Sequence, residues 1–265
     1  MKKLIRSVFN VFNYDIVKLN FYGTEKFKKA SSIEGLNYYD TPLGKYYLPA
    51  GLKKDLVANC IKSGIYFEPD VIETARKYIK DGMAVLDVGA NYGQMSICFS
   101  ELTPTGKVYS FEAEPIIIDI LKKNIDINHR TNIQVVEGAV YNVSGNTVYF
   151  PEPDFKRFDS YGSYGIDPNA SEGRAIKTLT IDSLNIAEPI CFMKVDIQGS
   201  DIFAMQGARE TIMKNKMPIL FEYEEQFQDE FKTSFNDYVE FVRSINYRFV
   251  SISKGINYLI VPNEA

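Results

Sequence analysis

One histidine and three cysteines in 265 residues leave little material for a metal centre built on nitrogen or sulfur. The histidine, His129, follows a predicted helix end in the polar stretch Asn128-His129-Arg130, which places it at the surface and outside any site. Cys60, Cys98 and Cys191 are far apart and fit no ligand spacing. Cys98 and Cys191 have apolar neighbours, so the cysteines are expected as buried thiols of a protein kept in a reducing, cytoplasmic compartment. Charge of one sign is also scarce. Thirty Lys and Arg against 34 Asp and Glu give a net charge of -4, which offers no electrostatic basis for a nucleic-acid partner. No stretch approaches the ~20 apolar residues that a spanning helix needs. Internal repeats, low-complexity tracts and linkers are absent too. A hydrophobic content of 45% nonetheless supports a packed core, and the length suits one large domain, or a core domain with additions.

The first twenty residues admit two readings. Leu4, Ile5, Val8, Phe9, Val11 and Phe12 follow Met1-Lys2-Lys3 as in a signal peptide. Arg6, Asn10 and Asn13 interrupt the run, however, and no small-residue cleavage site follows. A helix packing its apolar side on the domain is one reading. The other is a helix resting on an anionic membrane surface, at the inner face of the membrane, anchored by Lys2, Lys3, Arg6 and Lys18. With the hairpin predicted around Thr41-Pro42-Leu43-Gly44, between Leu36–Tyr39 and Lys45–Leu48, this makes residues 1–54 an extension before a main domain over 55–265.

What the chain does have is an alternating pattern. Apolar runs at 83–88, 107–111, 133–137, 190–195 and 218–222 predict strands. Helical spacing recurs over 68–80 and near 93–102, 115–128, 200–214 and 235–245. Such alternation implies a mostly parallel, Rossmann-like α/β sheet covered on both faces. Tyr247–Ile252 and Ile256–Val261 are close enough in sequence to require antiparallel pairing, so the sheet ends in an antiparallel hairpin. Residues 138–189 interrupt the rhythm as an insertion. Thr147–Phe150 and Ala175–Ile181 read as added strands around the irregular stretch Pro151–Arg174.

The densest signal is Asp87-Val88-Gly89-Ala90-Asn91-Tyr92-Gly93 after the first strand, with Phe111-Glu112 closing the second. A strand, a small-residue turn, a helix and a carboxylate at the next strand end form a nucleoside-binding unit. The glycine spacing is Asp-x-Gly-x-x-x-Gly. It suits S-adenosylmethionine (SAM), which has no phosphate, better than the pyrophosphate of a nicotinamide cofactor. Gly89 and Gly93 are expected to let the backbone approach the methionine half, and Glu112 to accept both ribose hydroxyls. Asp87 is placed either on the SAM ammonium group or in ordering the turn. Gly138 and Ala139 would pass beside adenine, with Glu137 accepting from its amino group. Asp196 ends the fourth strand, where open α/β sheets bind ligands, and is the candidate base for a hydroxyl proton. Asp182, Asp196 and Glu222 are strand-end acids that could form a magnesium site, the less favoured reading. The acidic run Glu222–Glu230 reads as a solvated segment whose early part borders the acceptor pocket.

Several ordered motifs together carry a family resemblance. Asp-Val-Gly-Ala-Asn-x-Gly at 87–93, Phe-Glu-x-x-Pro at 111–115 and Lys-x-Asp-x-x-Gly at 194–199 resemble the FkbM-type methyltransferases. So do Phe67-Glu68-Pro69, Thr180-x-Asp182-Ser183-Leu184 and Gly207-Ala208; the similarity runs from about Asp55 to Glu222. It implies a class I SAM-dependent methyltransferase fold and O-methyl transfer to sugars or natural products. It also implies Glu68 and Asn91 beside the cofactor, although a carboxylate at a helix start accounts for Glu68 equally well. Gln198 stands where family members often carry Glu, so no proton-transfer role is given to it. The acceptor is expected to be a small molecule or glycan. Tyr38, Tyr46, Phe158 and Tyr164 would stack on its sugar face, and Lys156, Arg157 and Arg174 would meet a phosphate. A methyltransferase for a non-sugar product, a non-catalytic SAM-fold interaction module and a nicotinamide-dependent oxidoreductase are the competing readings.

Overall fold

The computed structural model describes residues 26–150, 160, 164–250 and 255–263. A small antiparallel sheet comes first, with strands β1 (Lys28–Lys29), β2 (Leu36–Thr41) and β3 (Gly44–Pro49). Pro42-Leu43 forms the turn of the expected hairpin, and Tyr39 faces Tyr46 across it. Helices α1 (Leu56–Ser63) and α2 (Pro69–Tyr78) follow. Asp55 caps α1 by accepting the Ala58 N–H at 2.8 Å, satisfying a donor that the helix itself leaves open.

The alternating units are β4 (Ala84–Val88), α3 (Gln94–Leu102), β5 (Val108–Glu112), α4 (Pro115–Ile127) and β6 (Ile133–Glu137). Within the insertion, β7 (Ala139–Val140), β8 (Thr147–Phe150) and β9 (Arg174–Leu179) form a separate sheet in the order β7-β9-β8. Then come β10 (Ile190–Val195), α5 (Asp201–Gln206), α6 (Arg209–Asn215), β11 (Ile219–Glu222), α7 (Gln228–Phe231), α8 (Phe235–Ser244), β12 (Tyr247–Val250) and β13 (Asn257–Pro262).

The central sheet has the order β12-β13-β11-β10-β4-β5-β6. Strands β11, β10, β4, β5 and β6 are parallel. β13 runs antiparallel to both β11 and β12, so the predicted terminal hairpin is present, with its second strand inserted against the parallel set. β4 and β10 are buried along their whole length. Leu86, Val88, Met193 and Val195 pack into one core layer, and Val85 and Phe192 into the other, which explains why these strands read as continuous apolar runs. The strand order reverses between β4 and β10. The connections that leave their carboxyl ends therefore run to opposite sides and open a crevice, the usual ligand position in such sheets.

One predicted feature differs. The helix expected over 200–214 is two helices, broken at Gly207-Ala208. A Cβ on Gly207 would lie 2.0 Å from the Tyr141 carbonyl oxygen, and the Gly207 carbonyl accepts the Asp182 N–H. A distant segment thus forces the break. The β2–β3 hairpin also docks on α4: Asn124 accepts the Tyr47 N–H at 2.6 Å, and Asn128 accepts the Lys45 N–H at 2.8 Å. All three cysteines are free and buried. Among the described residues no helix is long and apolar enough to cross a membrane. Lys2, Lys3, Arg6 and Lys18 lie outside those residues.

Candidate active site

A cavity of about 900 Å³ occupies the crevice at the carboxyl ends of β4, β5, β10 and β11. Of the predicted site residues, Glu68, Gly89, Asn91, Glu112, Gly138, Ala139 and Asp196 line it. Asp87 and Gly93 do not.

Gly89 is required by the fold more directly than by a ligand. Its φ is +86°, and a Cβ there would lie 2.0 Å from the Asp196 carbonyl oxygen. The missing side chain lets the ends of β4 and β10 touch, and the expected close approach is met by protein backbone. At Gly93 a Cβ would meet Leu121 at 2.7 Å, so this glycine serves the packing of α3 on α4.

Asp87 is fully buried. Its Oδ2 accepts from Ser96 Oγ at 2.5 Å, and Ser110 Oγ donates in turn to Ser96 at 2.7 Å. Lys194 Nζ lies 3.8 Å from Asp87 Oδ1 and 3.1 Å from Asp196 Oδ2, and donates to the Gly89 carbonyl at 3.4 Å. Asp87 thus orders the turn from within the core and does not line the cavity. Burial pushes its carboxyl above the usual range, opposed by Lys194 and Ser96. Burial likewise disfavours the Lys194 charge, but Asp196, Asp87 and Glu68 outweigh it and hold the amine protonated beyond an ordinary lysine.

Glu112 is engaged differently from the expectation. Its Oε2 accepts the Asn91 N–H at 2.9 Å, and Oε1 accepts those of Ala113 and Glu114 at 2.8 and 3.0 Å. Three of roughly four acceptor directions are taken, leaving one, on Oε2, for a ligand hydroxyl. Burial raises its pKa against these hydrogen bonds. Gly138 and Ala139 line the cavity, but Glu137 points away to Lys122, at 2.6 Å.

The opposite wall is acidic. Glu68 precedes α2 in the left-handed conformation and makes no capping bond with its side chain. Instead its Oε1 accepts from Asn257 of β13 at 2.8 Å. Glu222 and Glu224 face the same space, with Gln226 donating to Glu224 at 2.7 Å. Burial and the neighbouring Asp196 charge push Glu68 up to about 6, Glu224 to about 7 and Glu222 well above the carboxylate range.

Several expected partners are elsewhere. Asp182 accepts the backbone N–H groups of Glu210 and Thr211 at the start of α6, so it does not join Asp196 and Glu222 around a cation. Among the described residues no three His, Cys, Asp or Glu side chains converge as a metal site. Tyr46 is fully buried with its hydroxyl on the Leu43 carbonyl, and Tyr38 packs on Tyr47; neither reaches the cavity. Arg174 is paired with Glu114 at 2.8 Å. Tyr164 does line the cavity, whereas Lys156, Arg157 and Phe158 lie outside the described residues. His129 is exposed, as expected.

Residues 87–249 match the methyltransferase FkbM domain, which is more than half of the chain. The chain belongs to the FkbM methyltransferase family. Among curated proteins, this FkbM-family chain is 33% identical over 64 residues to the ribosomal protein L11 methyltransferase of Acetivibrio thermocellus. That covers 24% of the chain and 20% of the enzyme. The same enzyme of Carboxydothermus hydrogenoformans is 32% identical over 79 residues, 29% of the chain and 26% of the enzyme. The chain thus spans about a fifth to a quarter of these relatives. A crystal structure of methyltransferase FkbM from Methylobacillus flagellatus is similar with a TM-score of 0.45 and 17% identity, over 72% of this chain and 50% of that one.

Three residues of this FkbM-family site were given no role of their own by the sequence reading. Lys194 had a signal: a lone lysine inside the apolar strand Ile-Cys-Phe-Met-Lys-Val. Glu224 lies in the early part of the acidic run Glu222–Glu230, which was expected to border the acceptor pocket, but nothing singled it out there. Gln94, 3% exposed, accepts the Phe67 N–H at 2.8 Å and donates to the Ile65 carbonyl at 3.0 Å, so it fixes the loop that carries Glu68. No sequence signal distinguishes it from any helix-start glutamine.

Proposed function

We propose that this chain is a SAM-dependent O-methyltransferase acting on a hydroxyl of a carbohydrate or glycoconjugate. The observation that supports this reading is the opposition of Glu112, at the end of β5, and Asp196, at the end of β10, across one cavity at the sheet's reversal point. The donor set suits SAM. Glu112 retains an acceptor direction for a ribose hydroxyl, the Gly138-Ala139 backbone offers an edge for adenine, and Phe111 and Ile117 supply apolar walls. SAM would bring a methyl group on a cationic sulfur.

The protein's part is then alignment and proton removal. Asp196, fixed by Lys194, would hold the acceptor hydroxyl in line with the methyl–sulfur bond, where positioning alone lowers the barrier by several kcal/mol. An Asp196 oxygen would take the hydroxyl proton as the hydroxyl oxygen bonds the methyl carbon, the carbon–sulfur electron pair staying with sulfur. Lys194, 3.1 Å from Asp196 Oδ2, holds that carboxylate in place for the step.

Calorimetry with SAM, S-adenosylhomocysteine (SAH) and NAD tests the cofactor. The first two bind and NAD does not. Glu112→Gln weakens SAM and SAH by on the order of 1.5–3 kcal/mol, the loss of hydrogen bonds to a charged acceptor. Unchanged SAM affinity in a folded Glu112→Gln protein would sink the ribose assignment, and absent SAM binding would sink the enzyme reading.

A further inference from the structure

Seven carboxylates and two lysines line the cavity among the described residues. The protein itself satisfies only part of that charge. Glu112 is held by three amides, and Glu114 by Arg174 and the Ile116 N–H. Lys194 is committed to Asp196 and Asp87. Glu68 and Glu224 each accept only from a neutral amide, those of Asn257 and Gln226. Glu222, half-buried at the end of β11, takes no side-chain hydrogen bond or ion pair from any described residue. Behind this wall, Asp201 is 1% exposed in the first turn of α5.

Acids buried without counter-ions repel one another and resist ionisation. Glu68, Asp196, Glu222 and Glu224 converge from three separate segments on one cavity, so the surplus belongs to the site. SAM accounts for part of it, since a sulfonium, an ammonium and a carboxylate sum to one positive charge. On the reading above, its ribose and adenine lie along β5 and β6, away from β11. A single metal ion does not match the spacing, because no three of these groups converge around one point. A phosphate on the acceptor would meet Glu222 and Glu224 with Arg174 already taken by Glu114.

We propose that the acceptor carries a protonated amine, which Glu222 and Glu224 hold while a hydroxyl of the same molecule faces Asp196. The inference rests on the methyltransferase reading and narrows its substrate class to amine-bearing polyols and sugars. Binding of such a cation draws the buried acids toward their ionised forms. Protons are therefore released from Glu222 and Glu224, whose environment also includes Glu68, Asp196 and Asp201, with Lys194 and Lys54 as the lysines that line the cavity among the described residues.

Glucamine and sorbitol form the test pair, one polyol with and without an amine in place of a hydroxyl. Both are titrated by calorimetry at neutral pH into the SAH-saturated protein. Glucamine is expected to bind at least about tenfold more tightly, which is ~1.4 kcal/mol. Its heat should differ between buffers of different ionisation enthalpy, as proton release requires. Glu222→Gln and Glu224→Gln should each shrink the preference while leaving SAH affinity unchanged. Equal affinity for the two polyols, or a preference that survives both substitutions, overturns the inference. An amine preference without SAH binding would overturn the cofactor reading alone; SAH binding without an amine preference would overturn this inference alone.

Discussion

The two ends of the cavity handle carboxylates in opposite ways. At the β5 end, Glu112 is pinned by three backbone amides, and its geometry is set before any ligand arrives. At the β10–β11 end, Glu68, Asp196, Glu222 and Glu224 crowd one space, and Lys194 pairs with Asp196. The first arrangement gives shape; the second stores unneutralised charge. A polar group locked by amides discriminates through position, whereas acids without partners respond to whatever positive charge or proton enters. This contrast separates residues that recognise a constant part of the ligand set from those that select a variable one.

The largest test of the contrast is Asp196→Asn. It keeps size and much of the hydrogen bonding, so SAH affinity should hold while turnover falls by roughly 10²–10⁴. Single-turnover rates and SAH titrations check this together. A fall in SAH affinity that tracks the loss of turnover would move Asp196 to the cofactor end. Next is Lys194→Met, which leaves Asp87 buried without its cation. Breaking a buried pair in this way costs about 3–5 kcal/mol. Urea unfolding at pH 8 should register the loss, and the double variant with Asp87→Asn should recover a large part of it. Full retention of stability would show that Lys194 matters to the acid wall alone.

The smallest effect is in pH dependence. Glu224 has a folded-state pKa of about 7 against an ordinary 4.5, so the folded protein holds the proton more tightly than the unfolded chain. Stability from this group is full below pH ~4.5 and is lost as pH rises through 7. Glu224→Gln should therefore raise Tm at pH 8 relative to the parent and have little effect near pH 4. A parent-to-variant difference that does not grow with pH would remove Glu224 from the charged wall.

Much of the architecture was legible because it is local. The runs at 83–88 and 190–195 are apolar on both faces, and the turn at 87–93 carries its spacing within seven residues. The division of labour inside the site was harder to read. Nothing near Gly207 announces that the Tyr141 carbonyl will press on it, and nothing near Arg174 reveals Glu114 as its partner. Gly89 is the instructive case. The residue was found for the right place, but its glycine is demanded by the Asp196 backbone, a contact between positions more than a hundred residues apart. Asp87 was likewise found by spacing, while its side chain turned to the serines of α3 and β5, whose register no local pattern specifies.

The bond between Glu68 and Asn257 has a consequence for synthesis. It joins residues 189 positions apart, and Asn257 lies on the strand that slots in beside β11 after every other strand of the central sheet has been made. During translation the crevice between β4 and β10 can be framed early, yet the acidic wall lacks one of its supports until that strand emerges from the ribosome. A nascent chain halted just short of β13 would carry the glycine turn and Glu112 intact but would leave Glu68 unanchored. Competence for the acceptor would then be acquired after the cofactor end has been framed.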